Sequence, residues 1–465
     1  MNIFIELGYL GAALSFILGL KLMSSPKRAQ KGVMVAAIGM FLAISCTLIA
    51  GYSSEVPSEN VLIIISALII GTWGGQRMAI KVKMTAMPQL VSLFNATGGG
   101  CAMLLGLIEM QTWKSLVLSQ GATYQLLLAM GSLTGAIAFT GSIVAYLKLA
   151  GKIKDAHQTT YTILARAFIV TIFGSSLLFY FGFIPISTSV FIYSVIGLSF
   201  VYGILFVLPI GGADMPVVIS LLNAITGIAT ALAGFMQGNK AMIAGGIFVG
   251  AAGLLLTLLM CKAMNRSLIK VLAGKFNKTT NPGEDTPQTI QETSVAETIT
   301  QLSFAQKIGV IPGYGLAIAQ AQHECYQLQK ILEAQDKSLD YIIHPVAGRM
   351  PGHMNVLLAE AKIDYNYLKE MDSVNTLMET YDMLLVIGAN DVVNPAAETN
   401  TASPIYGMPI IKAYQSKKII VMKRGMSTGY AGIQNELFEK KNCHILFGDA
   451  KKSLQEIVSQ IKMMN

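Results

Sequence analysis

Five clusters in this sequence have residue types and spacings that could bind and orient a reactive group. Gly313-Tyr314-Gly315 stands between a short apolar run, Lys307–Ile311, and a helical pattern. In that context glycines allow a tight turn and close backbone approach to a pyrophosphate, which then rests on a helix N-terminus. A second run ends in His344-Pro345-Val346-Ala347-Gly348-Arg349, with basic residues where an acid would bind the ribose 2′-hydroxyl of NAD. That substitution favours a 2′-phosphate, hence NADP. Gly388-Ala389-Asn390-Asp391 ends a third run, so Asn390 and Asp391 are expected to face the same crevice. Lys423-Arg424 joins a point-charge ammonium to a bidentate guanidinium, a pair suited to phosphate. Ser427-Thr428-Gly429-Tyr430-Ala431-Gly432 reads as a lid with Tyr430 as its covering ring. The plain alternatives are an ordinary strand-to-helix turn at Gly313, an Asp-capped turn at Asp391 and a solvated surface pair at Lys423-Arg424.

No nucleophile–base constellation accompanies these clusters, so chemistry here would belong to a bound cofactor. His344 and His353 have neither cysteine partners nor metal-site spacing, and no metal is expected. The five cysteines, Cys46, Cys101, Cys261, Cys325 and Cys443, are scattered and read as packed free thiols.

A different kind of site lies in the first half of the chain. Met87-Pro88, Ser92, Asn95 and Ala96 align without gaps on Met215-Pro216, Ser220, Asn223 and Ala224. Each copy opens an apolar run, Pro sits where a helix start tolerates it, and Asn follows about 10 Å deeper. One buried Asn is commonly interhelical glue, whereas two at matched depth fit a water or proton path. Asp214, before the second copy, is either an N-cap or a relay at the mouth. Arg266 is either a membrane-edge anchor or a joint between membrane and soluble parts. The apolar runs are read as free of His and Glu, so protons would move by Asn, Ser, Thr and water, or through another chain.

The elements that must position these residues follow from composition. The chain has 465 residues, 53% hydrophobic and 13% charged, with a net charge of +8. All of that excess falls within residues 1–264, on few charges, which argues against a nucleic-acid binder and for Lys and Arg at membrane edges. Nine runs, near 3–21, 33–52, 60–79, 87–108, 124–148, 162–183, 188–209, 214–236 and 242–264, are each long enough to cross a bilayer. Basic residues cluster after the first, third and fifth runs, which puts the N-terminus outside and the C-terminal part in the cytosol. Residues 1–264 therefore form a polytopic α-helical membrane domain and 265–303 a hinge and linker, flexible over 277–303. Residues 304–465 form a soluble domain. Its short apolar runs alternate with helical stretches, which predicts a Rossmann-like, doubly wound parallel sheet.

These residues resemble the beta subunit of the proton-translocating NAD(P) transhydrogenases over nearly the whole chain. The likeness rests on Phe139–Ala145, Asp214-Met-Pro with Asn223, Met260–Ser267, Ile311–Gly315, His344–Glu360, Val386–Asp391, Thr428–Asn435 and Leu446–Lys451. The resemblance implies a proton-conducting membrane domain joined to a cytosolic NADP(H)-binding domain in a bacterial-type inner (plasma) membrane. It also implies an alpha subunit that binds NAD(H), direct hydride transfer between the nicotinamides, and a dimer of alpha–beta units. A reversed nucleotide pose is implied too, with Lys423 and Arg424 on the 2′-phosphate and Asp449 among the binding residues. Protons passing near Asn95 and Asn223 would bias Asp214 and Arg266, and through them the grip of Asp391 and Tyr430 on NADP(H). Two departures stand out: Gly425 replaces the usual Ser after Lys-Arg, and Asn95 stands where some relatives have His. The rival readings are an NADP(H)-regulated transporter or sensor without hydride transfer, and a non-catalytic membrane scaffold.

Overall fold

The computed structural model describes residues 2–25, 28–52, 58–112, 122–153, 159–211, 214–264, 267–272, 290–348, 352–403, 405–429 and 431–464. Arg266, Arg349, Tyr430 and much of the expected linker lie outside them. The chain divides into two units, Met1–Leu258 with Leu268–Gly274, and Leu259–Ser267 with Lys275–Asn465.

The first unit is helical. Its long helices are α1 (Asn2–Met23), α2 (Ala29–Tyr52), α3 (Ser58–Lys81), α4 (Met87–Thr112), α5 (Ala122–Leu149), α6 (Thr159–Tyr180), α7 (Thr188–Val207), α8 (Met215–Met236) and α9 (Lys240–Ala263), followed by the short α10 (Leu268–Leu272). Among the described residues, nine helices are long and apolar enough to cross a membrane. Large apolar side chains such as Phe4, Leu62 and Phe183 point outward, as a lipid-facing surface requires. The inner seams instead carry small residues, which let backbones approach where no hydrophobic drive separates helix from lipid. At Gly99 an added Cβ would lie 2.8 Å from the Gly135 carbonyl, so α4 and α5 meet backbone to backbone.

The repeat shapes this packing. Both copies start helices, α4 at Met87 and α8 at Met215. The Ser92 hydroxyl donates to the Ser142 carbonyl of α5 (2.8 Å), and the Ser220 hydroxyl donates to the Gly253 carbonyl of α9 (3.0 Å). Each copy is thus stitched to the helix that follows it. One expectation is overturned: the spans do contain Glu, since Glu6 lies in α1, Glu59 in the first turn of α3 and Glu109 in the last turn of α4. All three sit near helix ends, where a carboxylate reaches donors more readily than at mid-membrane.

Among its described residues the second unit holds six strands: β1 (Lys307–Pro312), β2 (Ser338–Ile343), β3 (Leu368–Glu370), β4 (Met383–Ile387), β5 (Ile419–Lys423) and β6 (Cys443–Phe447). All pairings are parallel, in the order β3-β2-β1-β4-β5-β6. Helices α11 (Val295–Phe304), α12 (Tyr314–Ala319), α13 (Gln322–Glu333), α14 (His353–Glu360), α15 (Met371–Asn375), α16 (Ala396–Thr399) and α17 (Ala450–Met464) complete this Rossmann-like domain. Strand β4 is buried along its whole length, which is why it reads as an unbroken apolar run. The stretch expected as linker is partly helical: Ser294 and Glu297 form a reciprocal capping box that starts α11 at Val295. Four of the five cysteines are buried and Cys101 is exposed, all of them free thiols.

Candidate functional site

In an open parallel sheet, ligands bind beyond the strands' C-terminal ends, where the order reverses. Here that point lies between β1 and β4, and a crevice of about 490 Å³ opens there. Its walls bring together Gly313, Tyr314 and Gly315 after β1, Ala347 and Gly348 after β2, Gly388, Asn390 and Asp391 after β4, and Lys423 and Arg424 at the end of β5. These groups come from four strand ends spread over more than a hundred residues. Asp449, which follows β6, meets Arg424 in a 2.8 Å ion pair. Arg349 and Tyr430 lie outside the described residues.

The floor of the crevice is bare backbone. Gly388 has φ +66°, and a Cβ on Gly315 would fall 2.6 Å from the Gly388 Cα, so two glycines make the contact possible. The Gly313 N–H donates to the Ile387 carbonyl (2.9 Å) and the Gly315 N–H to the Gly388 carbonyl (3.0 Å). Those two amides brace β1 against the β4 turn and are not free to cradle a pyrophosphate. The generic phosphate-loop reading is corrected to that extent: the loop provides close approach, while its donors serve the fold.

Charge collects on the β5 side. The Lys423 ammonium packs 4.3 Å from the centre of the Phe438 ring and donates to the Ser427 carbonyl at 3.2 Å. Its burial pushes its pKa below the ordinary lysine value, and the Asp391 carboxylate opposes that shift. A dianionic phosphate would act in the same sense as Asp391 and hold the ammonium charged. Asp391 also accepts from the Ala431 N–H at 3.0 Å, and the Asn435 amide donates to the Asn390 side chain at 2.8 Å. Buried Asn394 continues this row, donating to the Gln434 carbonyl (3.0 Å) and accepting from the Glu436 N–H (3.2 Å). The segment expected as a lid is therefore fastened along one side to the β4 turn.

His344 has a structural part. Its Nδ1 accepts from the Val346 N–H (3.2 Å) and its Nε2 lies 2.8 Å from the Pro409 carbonyl, which fixes the neutral Nε2–H tautomer. Burial is the main cause that lowers its pKa to about 4. It holds the turn that carries Ala347 and Gly348. Among the described residues no group of His, Cys, Asp and Glu could hold a metal ion.

In the membrane unit, the Asn95 amide donates to the Ile219 carbonyl of α8 at 3.3 Å, and the Thr226 hydroxyl reaches the Asn95 carbonyl at 3.4 Å. In an α-helix the Ile219 carbonyl also receives the Asn223 N–H, so the two repeat asparagines meet at one oxygen. Asn95 is buried and Asn223 half-buried. Asp214 occupies the N-cap position of α8, 3% exposed, but its side chain makes no capping hydrogen bond. Sequence reasoning missed Asn394, Asn435 and Gly448, whose positions depend on loops that cross the sheet.

Among the described residues, nine membrane-length helices joined to a doubly wound sheet with a crevice at its switch point define a polytopic membrane protein carrying a Rossmann-like domain. Residues 5–460 match the family model described as NAD(P) transhydrogenase beta subunit, and the chain belongs to that family. Two relatives, both called NAD(P) transhydrogenase subunit beta and both from Rhodospirillum rubrum, are each 39% identical to it over 461 residues, covering 97% of this chain and 97% of the relative.

Proposed function

We propose that this chain binds NADP(H) in the crevice beyond β1, β4 and β5, and couples hydride exchange with NAD(H) on an alpha subunit to proton movement through its helical unit. Family membership supports the enzyme class and a partner subunit. The observation that carries the cofactor assignment is the placing of Lys423 and Arg424 on the wall of a glycine-floored crevice. The glycines let the turns after β1 and β4 pack backbone to backbone, which leaves the crevice floor without side chains. When bound, the nicotinamide supplies the hydride chemistry. The chain's own part is to hold the 2′-phosphate with Lys423 and Arg424, to support the cofactor on Gly313, Gly315 and Gly388, and to govern release through Asp391 and the segment it fastens.

In this proposal protons pass near Asn95 and Asn223, bias Asp214 and Arg266, and change the grip of Asp391 and Tyr430. Such coupling requires that the two protonation states hold NADP(H) with different affinity; equal binding to both would shift nothing. The membrane is proposed to be a bacterial-type inner membrane, with the N-terminus outside and the sheet domain in the cytoplasm. The proposed assembly is a dimer of alpha–beta units. The test is calorimetric titration of residues 290–465 with NADP(H) and with NAD(H). Tight NADP(H) binding with little NAD(H) binding is expected; no binding, or preference for NAD(H), overturns the assignment of Lys423 and Arg424.

A further inference from the structure

We infer that Glu109 is the proton-exchange group at the end of the α4–α5–α8 bundle remote from Met87 and Met215, and that Gln237 reads its protonation state. This inference rests on the proposed proton coupling and adds a named acid to it. Glu109 lies in the last turn of α4 and is only 7% exposed. The Tyr124 hydroxyl of α5 donates to its Oε1 at 2.8 Å, and the Gln237 amide at the end of α8 donates to its Oε2 at 2.9 Å. Both partners are neutral donors. Among the described residues no Lys, Arg or His forms an ion pair with this carboxylate. Among the described residues Tyr124 is the titratable group that bonds to it, and Lys240 of α9 is engaged by Glu6 of α1 at 2.8 Å.

Burial and two neutral donors from two other helices put this carboxyl where a proton gained or lost changes the hydrogen bonds of both partners. The repeat gives the site its second feature. Asn95, Gly99, Ala102, Gly106 and Glu109 recur at steps of four and three along one face of α4. The same register on α8 gives Asn223, Gly227, Thr230, Gly234 and Gln237. Glu109 and Gln237 are thus equivalent positions, 128 residues apart, and they bond to each other. One copy carries the acid and the other its amide isostere. Asn95 lies on the same stripe, about 21 Å along the helix axis.

The step is a proton transfer alone. A hydronium ion at the mouth gives a proton to a Glu109 oxygen; an O–H bond forms on the carboxyl, an O–H bond of the hydronium breaks, and water is left. The new O–H can donate where the carboxylate could only accept, and the Gln237 amide answers by turning its carbonyl toward it. Gln suits this role because it presents a donor and an acceptor on one rotatable group. The turn takes place at the end of the helix that carries Asn223.

The experiment uses the full chain with its alpha subunit in sealed phospholipid vesicles, reading proton translocation and transhydrogenation together with NADP(H) affinity. In E109Q, whose side chain can still accept from Tyr124, translocation is expected to fall at least tenfold with NADP(H) affinity unchanged. E109D should restore part of it with a shifted pH profile, and Q237L should uncouple hydride transfer from translocation. Unchanged translocation in E109Q overturns the assignment and leaves the proposed function standing. Loss in E109Q with no rescue in E109D and weakened NADP(H) binding marks a structural role and also overturns it. If the wild-type complex moves no protons, the proposed function fails and takes this inference with it.

Discussion

Arg424 Nη2 lies 2.8 Å from Asp449 Oδ2, so the guanidinium proposed for the 2′-phosphate already holds a carboxylate. Both side chains are solvent-accessible, and exposed pairs of this kind contribute about 1 kcal/mol or less. An incoming phosphate can therefore displace the carboxylate, or share the guanidinium with it, at little cost. We expect R424Q to weaken NADP(H) binding to residues 290–465 by about 10- to 100-fold, the loss of one charge-assisted hydrogen bond, with NAD(H) binding unaltered. D449N should leave NADP(H) affinity within a few-fold of wild type or raise it. Equal losses for both nucleotides in R424Q, measured by calorimetry, would remove Arg424 from the 2′-phosphate.

Gly388 joins a left-handed backbone to a close approach by Gly315. G388A should destabilise the sheet domain by about 2–4 kcal/mol, from left-handed strain and overpacking together. G425A, where an added Cβ meets nothing within 4 Å, should stay within about 0.5 kcal/mol. Urea unfolding of the two variants decides between them, and equal midpoints would contradict the packing described for the crevice floor.

His344 sets a pH dependence. Its pKa falls from 6.5 to about 4 on folding, so between those values the unfolded chain binds the extra proton and acid favours unfolding. The domain should be on the order of 2 kcal/mol less stable at pH 5 than at pH 7.5 through this group alone. The limb should be absent from H344Q and so stand out in the difference between wild type and H344Q. Parallel pH–stability curves for the two proteins would show that His344 titrates normally.

The two repeat asparagines should behave differently. N95L removes a hydrogen bond between α4 and α8, worth about 1–2 kcal/mol at most, and should lower the thermal stability of the membrane unit. N223L should reduce proton-coupled turnover in reconstituted vesicles while nucleotide affinity of the sheet domain stays unchanged. A drop in that affinity would count against a membrane role for Asn223.

Much of the sheet was legible because β1, β2, β4, β5 and β6 are buried and read as apolar runs. Strand β3 escaped: Leu368-Lys369-Glu370 is short, and none of it is buried. The helical pattern expected after Gly313-Tyr314-Gly315 breaks at Gln320, which adopts φ +52° without the Gly or Pro that would announce it. The start of α11 did carry a signal, since Ser294 and Glu297 have the spacing of a capping box within a stretch whose Thr and Pro suggested a linker. For the crevice, strand ends were readable, but not the pairs that cross its rim. Arg424 meets Asp449 25 residues on and Asn390 meets Asn435 45 residues on, distances that local pattern does not span. Glu6 was passed over because its apolar run was judged by its bulk, whereas Glu59 and Glu109 fell outside the runs expected near 60–79 and 87–108, which the helices overrun by a few residues.

The segment before α11 has a bearing on handling the sheet domain. The Ile445 N–H donates to the Gln291 carbonyl at 2.7 Å and the Thr293 N–H to the Ile445 carbonyl at 3.0 Å, so residues 291–293 run alongside β6. An uncovered strand offers its ladder to any other chain and invites intermolecular pairing. A fragment begun at residue 300 would bare that margin, and its self-association in solution could be mistaken for a failure to bind nucleotide.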